Sequence, residues 1–165
     1  TDRAERSHWN RFVRTWARAD YRGMAVLPPG ELPAKAEPRQ LVRALNELED
    51  TAGTEAALPY WQAAVQHWPD NYLVQFSWGN LQWNRGEKKQ AIQAFQKAVE
   101  IRPDAASAWN NLAEAWRQLG CRERAQNAIE TGLKHAPDRK TLQDTSSAIE
   151  TMPESRCTVA LPDTE

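Results

Sequence analysis

The dipeptide Pro-Asp stands at Pro69-Asp70, Pro103-Asp104 and Pro137-Asp138, and both intervals are 34 residues. A fixed period of that length is a stronger constraint than any single motif. Each period must be one supersecondary unit, and 34 residues suit two helices with their turns. Framed on the prolines, the repeats are 38–71, 72–105 and 106–139. In the third, "AASAWNNLAEAWRQLG" places Trp109, Leu112 and Trp116 on one helical stripe before Gly120 breaks it. A second helix follows with Ala125, Ile129 and Gly132. The second repeat has Gln75, Trp78-Gly79 and Gln82, then Ala91, Phe95, Ala98 and Pro103. The first has Leu41, Ala44-Leu45 and Leu48, then Ala57, Trp61, Ala64 and Pro69, with Pro59 set to delete a hydrogen bond or delay its helix.

One such unit cannot bury its apolar stripe alone, so the units must stack, and the last exposed face needs a cap. The segment "DRKTLQDTSSAIETM" supplies one, with Asp138 as N-cap and Leu142, Thr145, Ile149 and Met152 turned inward. The tail 153–165 holds two prolines and three acidic residues and reads as mobile.

The order of aromatic, small and proline positions in these units resembles the tetratricopeptide repeat over about 100 residues. The resemblance implies an all-α fold: a right-handed α-solenoid of about three repeats (38–71, 72–105, 106–139) and a capping helix over 140–152, preceded by a non-repeat helix-strand segment. It also implies a concave groove lined by the first helix of each repeat. Carried onto this sequence, the ligand-facing places include Arg43, Asn46, Phe76, Asn80, Trp83, Asn110, Asn111, Glu114 and Arg117. Asn side chains both donate and accept, so Asn46, Asn80 and Asn110 suit the backbone of an extended peptide, with Phe76 and Trp83 taking an apolar side chain. The plainer alternative is a solvated polar helix face. Family members that hold a terminal carboxylate use Lys at places occupied here by Val42 and Ser107, which argues against that mode.

Residues 1–37 do not repeat. Trp9, Phe12, Val13 and Trp16 make a helical stripe, and Met24 to Leu27 is an apolar run of strand length stopped by Pro28-Pro29. The stretch "RFVRTWARADYRGMAVLPPGELPAKAEP" resembles the junction in bacterial proteins that join a papain-like, bacteriocin-processing-type cysteine peptidase domain to C-terminal tetratricopeptide repeats. That resemblance implies that 1–27 is the edge of an upstream peptidase-like domain and 28–37 a Pro-rich linker. It implies export to the periplasm or envelope, and it places any catalytic Cys and His upstream of Thr1. A cap folded onto the first repeat remains the other reading of 1–37, and a cytoplasmic, free-standing assembly scaffold the other reading of the whole.

The chemistry of the chain points the same way. A net charge of −1 and a pI near 6.3 give no basic footprint for nucleic acid. Eight Trp at helical spacing read as core more readily than as base-stacking platforms. No apolar run approaches the ~20 residues of a membrane span. Cys121 and His135 begin and end one helix, about 21 Å apart at 1.5 Å per residue, too far to act as nucleophile and base. His8 and His67 have no partners at metal-ligand spacing. The expectation is therefore a non-enzymatic module without cofactor or metal, binding a protein, an extended peptide or its own upstream domain. Finally, a capping helix antiparallel to the one before it returns to Cys121, and five further residues can reach ~16 Å, which puts Cys157 within bridging range. The two either form a disulfide, as an exported protein permits, or are unrelated thiols.

Overall fold

The computed structural model describes residues 37–153 and Cys157. The expected helix, strand and linker over 1–36 lie outside the described residues, as does most of the tail. Seven helices follow one another: α1 (Pro38–Ala52), α2 (Thr54–His67), α3 (Tyr72–Asn84), α4 (Lys88–Ile101), α5 (Ala106–Gln118), α6 (Arg122–His135) and α7 (Lys140–Glu150). There is no strand among the described residues. The fold is all-α, built from the helix pairs of a solenoid. The chain forms two compact units, Thr1–Trp78 and Gly79–Glu165, with the boundary inside α3.

In the first unit Pro38 opens α1, where its missing N–H costs nothing. The apolar stripe Leu41, Val42, Ala44, Leu45 and Leu48 is buried, facing Ala57, Tyr60, Trp61 and Ala64 of α2. Gly53, at φ 90°, makes the tight turn between the two helices. Pro59 lies inside α2, so the helix starts undelayed at Thr54 and loses one donor from its ladder. Trp61 is wholly buried, and its Nε1–H has no partner among the described residues. Burial also pushes the Tyr60 phenol up from its ordinary pKa. The Asn71 Oδ1 accepts the backbone N–H of Val74 (3.2 Å) and so caps α3.

The second unit is a run of helices in contact: α4 on α5, α5 on α6, α6 on α7, with α7 also against α5. Small residues set the spacing. A Cβ on Gly79 would lie 2.5 Å from the Phe95 ring, and one on Gly132 would lie 2.8 Å from Trp109 Cβ and 3.2 Å from Leu142. The α7 helix buries Leu142 and Ile149 completely, and Arg122 holds its end. The Arg122 guanidinium donates from Nη1 to the Met152 carbonyl (2.9 Å) and from Nη2 to the Glu150 carbonyl (3.1 Å).

Two expectations about this cap need correction. Asp138 is not the N-cap: that place is taken by Arg139, whose side chain makes no capping bond. The helix also ends at Glu150, short of 152, so Met152 is half-buried beyond it and not part of its inner stripe.

A local bond recurs with the period. The side chain four places into each repeat donates to the carbonyl of the preceding Pro: Gln75 Nε2 to Pro69 (2.7 Å), Trp109 Nε1 to Pro103 (2.8 Å) and Gln143 Nε2 to Pro137 (2.9 Å). This ties the start of each first helix to the turn before it. Trp109→Phe should therefore cost about 0.5–1 kcal/mol, the net worth of one such bond. Trp109→Gln should recover part of that loss, since it restores the donor. Urea midpoints of the two variants check this, and a Phe variant as stable as wild type would show the bond to be idle.

Candidate functional site

Six of the residues expected to face a ligand lie in the second unit, on α5 and the adjoining turns of α3. Asn80 and Trp83 are three residues apart on α3, and Asn110, Asn111, Glu114 and Arg117 follow one face of α5. All six are half-buried. The remaining three belong to the first unit: Arg43 and Asn46 are exposed on α1, and Phe76 stacks on Tyr72, ring centroids 5.7 Å apart.

The asparagines bridge neighbouring first helices. Asn111 Nδ2 donates to Asn80 Oδ1 (2.9 Å), joining α5 to α3. Thr145 Oγ1 donates to Asn110 Oδ1 (2.9 Å), joining α7 to α5. In this arrangement each Oδ1 accepts one bond within the protein, while the Nδ2 groups of Asn80 and Asn110 take no part in these two bonds. Asn80 and Asn110 thus keep both Nδ2 donors and part of their acceptor capacity.

Glu114 and Arg117 form a bidentate pair, with Nε to Oε2 at 2.8 Å and Nη2 to Oε1 at 2.7 Å, and Gln118 adds a bond to Oε1 (2.9 Å). The Arg117 hydrogen bond, then that of Gln118, holds the Glu114 carboxyl below the ordinary range against the opposing effect of burial. The same bond raises Arg117. The pair therefore stays ionised and internally neutral across physiological pH.

Trp83 also has a structural neighbour, although its position gives it no obvious packing partner in sequence. The Lys88 ammonium sits 3.6 Å from the ring centroid, a cation–π contact that covers one face of the indole. Two members of the site escape sequence reasoning, Lys88 and Thr145, whereas Gln118 is among the ligand-facing places the repeat pattern gives. For Thr145 a signal exists, because it lies one period after Asn111, which lies one period after Ser77. These three places all hold small polar side chains.

No group of three or more His, Cys, Asp or Glu among the described residues is placed to hold a metal ion. No helix among them is long and apolar enough to cross a membrane. Cys121 and Cys157, 36 positions apart in sequence, are joined by a disulfide.

Helix pairs of fixed period, separated by small residues and bridged along their first helices by short polar side chains, define a helical-repeat protein. The model of the TPR, or tetratricopeptide, repeat matches residues 79–120. The uncharacterized protein MJ0572 of Methanocaldococcus jannaschii is 38% identical over 64 residues, which are 37% of this chain and 74% of that protein. The tetratricopeptide repeat-containing protein trd-1 of Caenorhabditis elegans is 26% identical over 81 residues, 49% of this chain. This chain spans only 10% of the length of trd-1. The crystal structure of MamA superposes with a TM-score of 0.71 at 16% identity, over 90% of this chain and 82% of that one. YrrB, a TPR protein with an unusual peptide-binding site, superposes with a TM-score of 0.61 at 23% identity, over 71% of this chain and 61% of its own. At these identities the structural likenesses concern the fold. The chain belongs to the tetratricopeptide repeat proteins.

Proposed function

We propose that this chain is a non-catalytic scaffold module that binds an extended peptide or protein segment along the first-helix face of its second unit. The observation that carries the reading is the pair of inter-helix bonds, Asn111 to Asn80 and Thr145 to Asn110. They orient two amide donors along one face, a pattern suited to the carbonyl groups of an extended backbone, which accept and do not donate. Trp83 lies three residues from Asn80 and offers a half-buried ring to an apolar side chain. The Glu114–Arg117 pair is already neutral, so this face is poorly suited to a terminal carboxylate. The peptide-binding site of YrrB supports the reading by likeness of fold.

The proposal extends to the protein from which the chain comes. We take the module to be the C-terminal interaction domain of an exported bacterial protein whose upstream domain resembles a papain-like cysteine peptidase, with that domain among its partners. Support comes from the resemblance of residues 8–38 and from the Cys121–Cys157 bond, which a periplasmic or envelope location would preserve. Coding sequence upstream of Thr1 with a Cys followed by a His, in a protein recovered from the envelope, is the expected finding. An upstream region lacking both residues would favour the free-standing scaffold.

The groove itself is tested by selecting binders from an immobilised library of extended peptides and measuring one of them against variants. Trp83→Ala should weaken it by about 2 kcal/mol, roughly thirtyfold, with helicity unchanged. Asn80→Ala should weaken it less. Equal affinity in wild type and Trp83→Ala, at equal helicity, would remove this face as the binding site.

A further inference from the structure

The disulfide is asymmetric. Cys121 is 1% exposed and immediately precedes α6, a helix of 14 residues, whereas Cys157 is exposed. We propose that the Cys121–Cys157 bond is a thiol-exchange site that opens in one direction only, taking an incoming thiolate of a low-molecular-weight thiol at Cys157. Access decides which sulfur is attacked, since a nucleophile must approach along the S–S axis and only the Cys157 end faces solvent. The leaving group follows from the same geometry. Attack at Cys157 forms a new S–S bond to that sulfur, breaks the bond to Cys121, and leaves the electron pair on the Cys121 sulfur. That thiolate is formed at the N-terminal end of α6, whose dipole favours negative charge, although no backbone N–H of the helix start bonds the sulfur.

The balance closes without any further reactant. The first thiolate gives a mixed disulfide on Cys157 and a Cys121 thiolate that takes a proton from water. A second thiolate can attack the mixed disulfide, releasing the symmetrical small disulfide and a Cys157 thiol. The protein bond is then reduced by two electrons and two equivalents of the small thiol are oxidised. Attack by Cys121 on the mixed disulfide reverses the first step, which makes Cys121 the resolving thiol.

The cap does not come away when the bond opens. Leu142 and Ile149 remain fully buried, and Arg122 still donates to the Glu150 and Met152 carbonyls. What is released is Cys157 with the thiol it has accepted. The site therefore exchanges the Cys121–Cys157 crosslink for a small-thiol adduct while the repeats stay folded.

The test treats the oxidised chain with glutathione under native conditions, quenches with acid and maps the adducts by peptide mass spectrometry. Glutathione should appear on Cys157 at least tenfold more often than on Cys121. Hydrogen exchange over 140–150 should stay within threefold of the oxidised protein. In urea, where both sulfurs are accessible, the preference should fall to within a few-fold of parity. Adducts on Cys121, equal labelling of both under native conditions, or a bond that opens only after unfolding would each overturn the proposal. Cys157→Ser keeps the assignment honest: it should take up no glutathione from the oxidised small disulfide faster in the folded state than in urea, because the remaining thiol is buried.

Discussion

Gly79→Val is expected to destabilise the fold by about 3 kcal/mol. A Cβ at position 79 would meet Phe95 Cε1 at 2.5 Å and Cδ1 at 2.6 Å, distances at which the ring must move. Phe95 is 2% exposed, so it has no free space to move into. Replacing a helical Gly gains at most ~1 kcal/mol of helix propensity, and less for a β-branched residue. Overpacking of a tight core costs about 1–3 kcal/mol for small insertions, and Val adds three carbons. The clash should therefore win over the propensity gain. Gly79→Ala should lose less, about 1 kcal/mol net. Combining Gly79→Val with Phe95→Leu, which shrinks the opposing side chain, should recover part of the loss, and the coupling between the two can be read from a double-mutant cycle. Urea unfolding followed by far-UV circular dichroism gives all four values. Wild-type stability in Gly79→Val would mean that the helices separate without cost, and that the small residue is not what sets their spacing.

The same contact shows what was legible in the sequence. The period puts a small residue at 79 and a large one at 95, so the existence of the helix pair and the partners across it follow from spacing alone. The period also contained the answer to the one capping error. Asp138 has the chemistry of an N-cap, but its equivalents one and two periods earlier, Asp104 and Asp70, sit in turns. The residue that precedes the helix is at 71, 105 and 139, and local preference for Asp gives way to that register. Other features leave no trace in residue type. Gln75, Trp109 and Gln143 look unrelated until each is seen donating a side-chain N–H to the Pro carbonyl six residues earlier.

The candidate site was readable as a set of positions and not as a chemistry. Spacing brings Asn80, Asn110, Asn111, Glu114 and Arg117 to one face of their helices, but it does not show that their polar atoms are spent on one another. Whether an Asn accepts from a neighbouring helix depends on a separation of 31 to 35 residues across packed elements. Trp83 illustrates the same limit: its position was visible, while the Lys88 ammonium over its ring comes from the first residue of α4.

Opening the Cys121–Cys157 bond should cost about 3–4 kcal/mol of stability while leaving the native structure nearly unchanged. The bond spans 36 residues, and closing a loop of that size removes chain entropy mainly from the unfolded state. The native cap has other holds, the buried Leu142 and Ile149 and the two bonds from Arg122, so its helix persists when the crosslink is gone. The choice of variant matters. Cys157→Ser alters an exposed position and isolates the crosslink, whereas Cys121→Ser also places a hydroxyl where the residue is 1% exposed, adding a desolvation cost. Cys157→Ser should therefore match the reduced wild type, and Cys121→Ser should fall below both by about 1 kcal/mol or more. Arg122→Ala should add to the loss in the reduced protein, because the Glu150 and Met152 carbonyls then lose their shared donor. Urea unfolding of the oxidised, reduced and substituted chains separates these contributions. Equal midpoints for oxidised and reduced protein would mean that the crosslink restrains nothing the folded cap does not already hold.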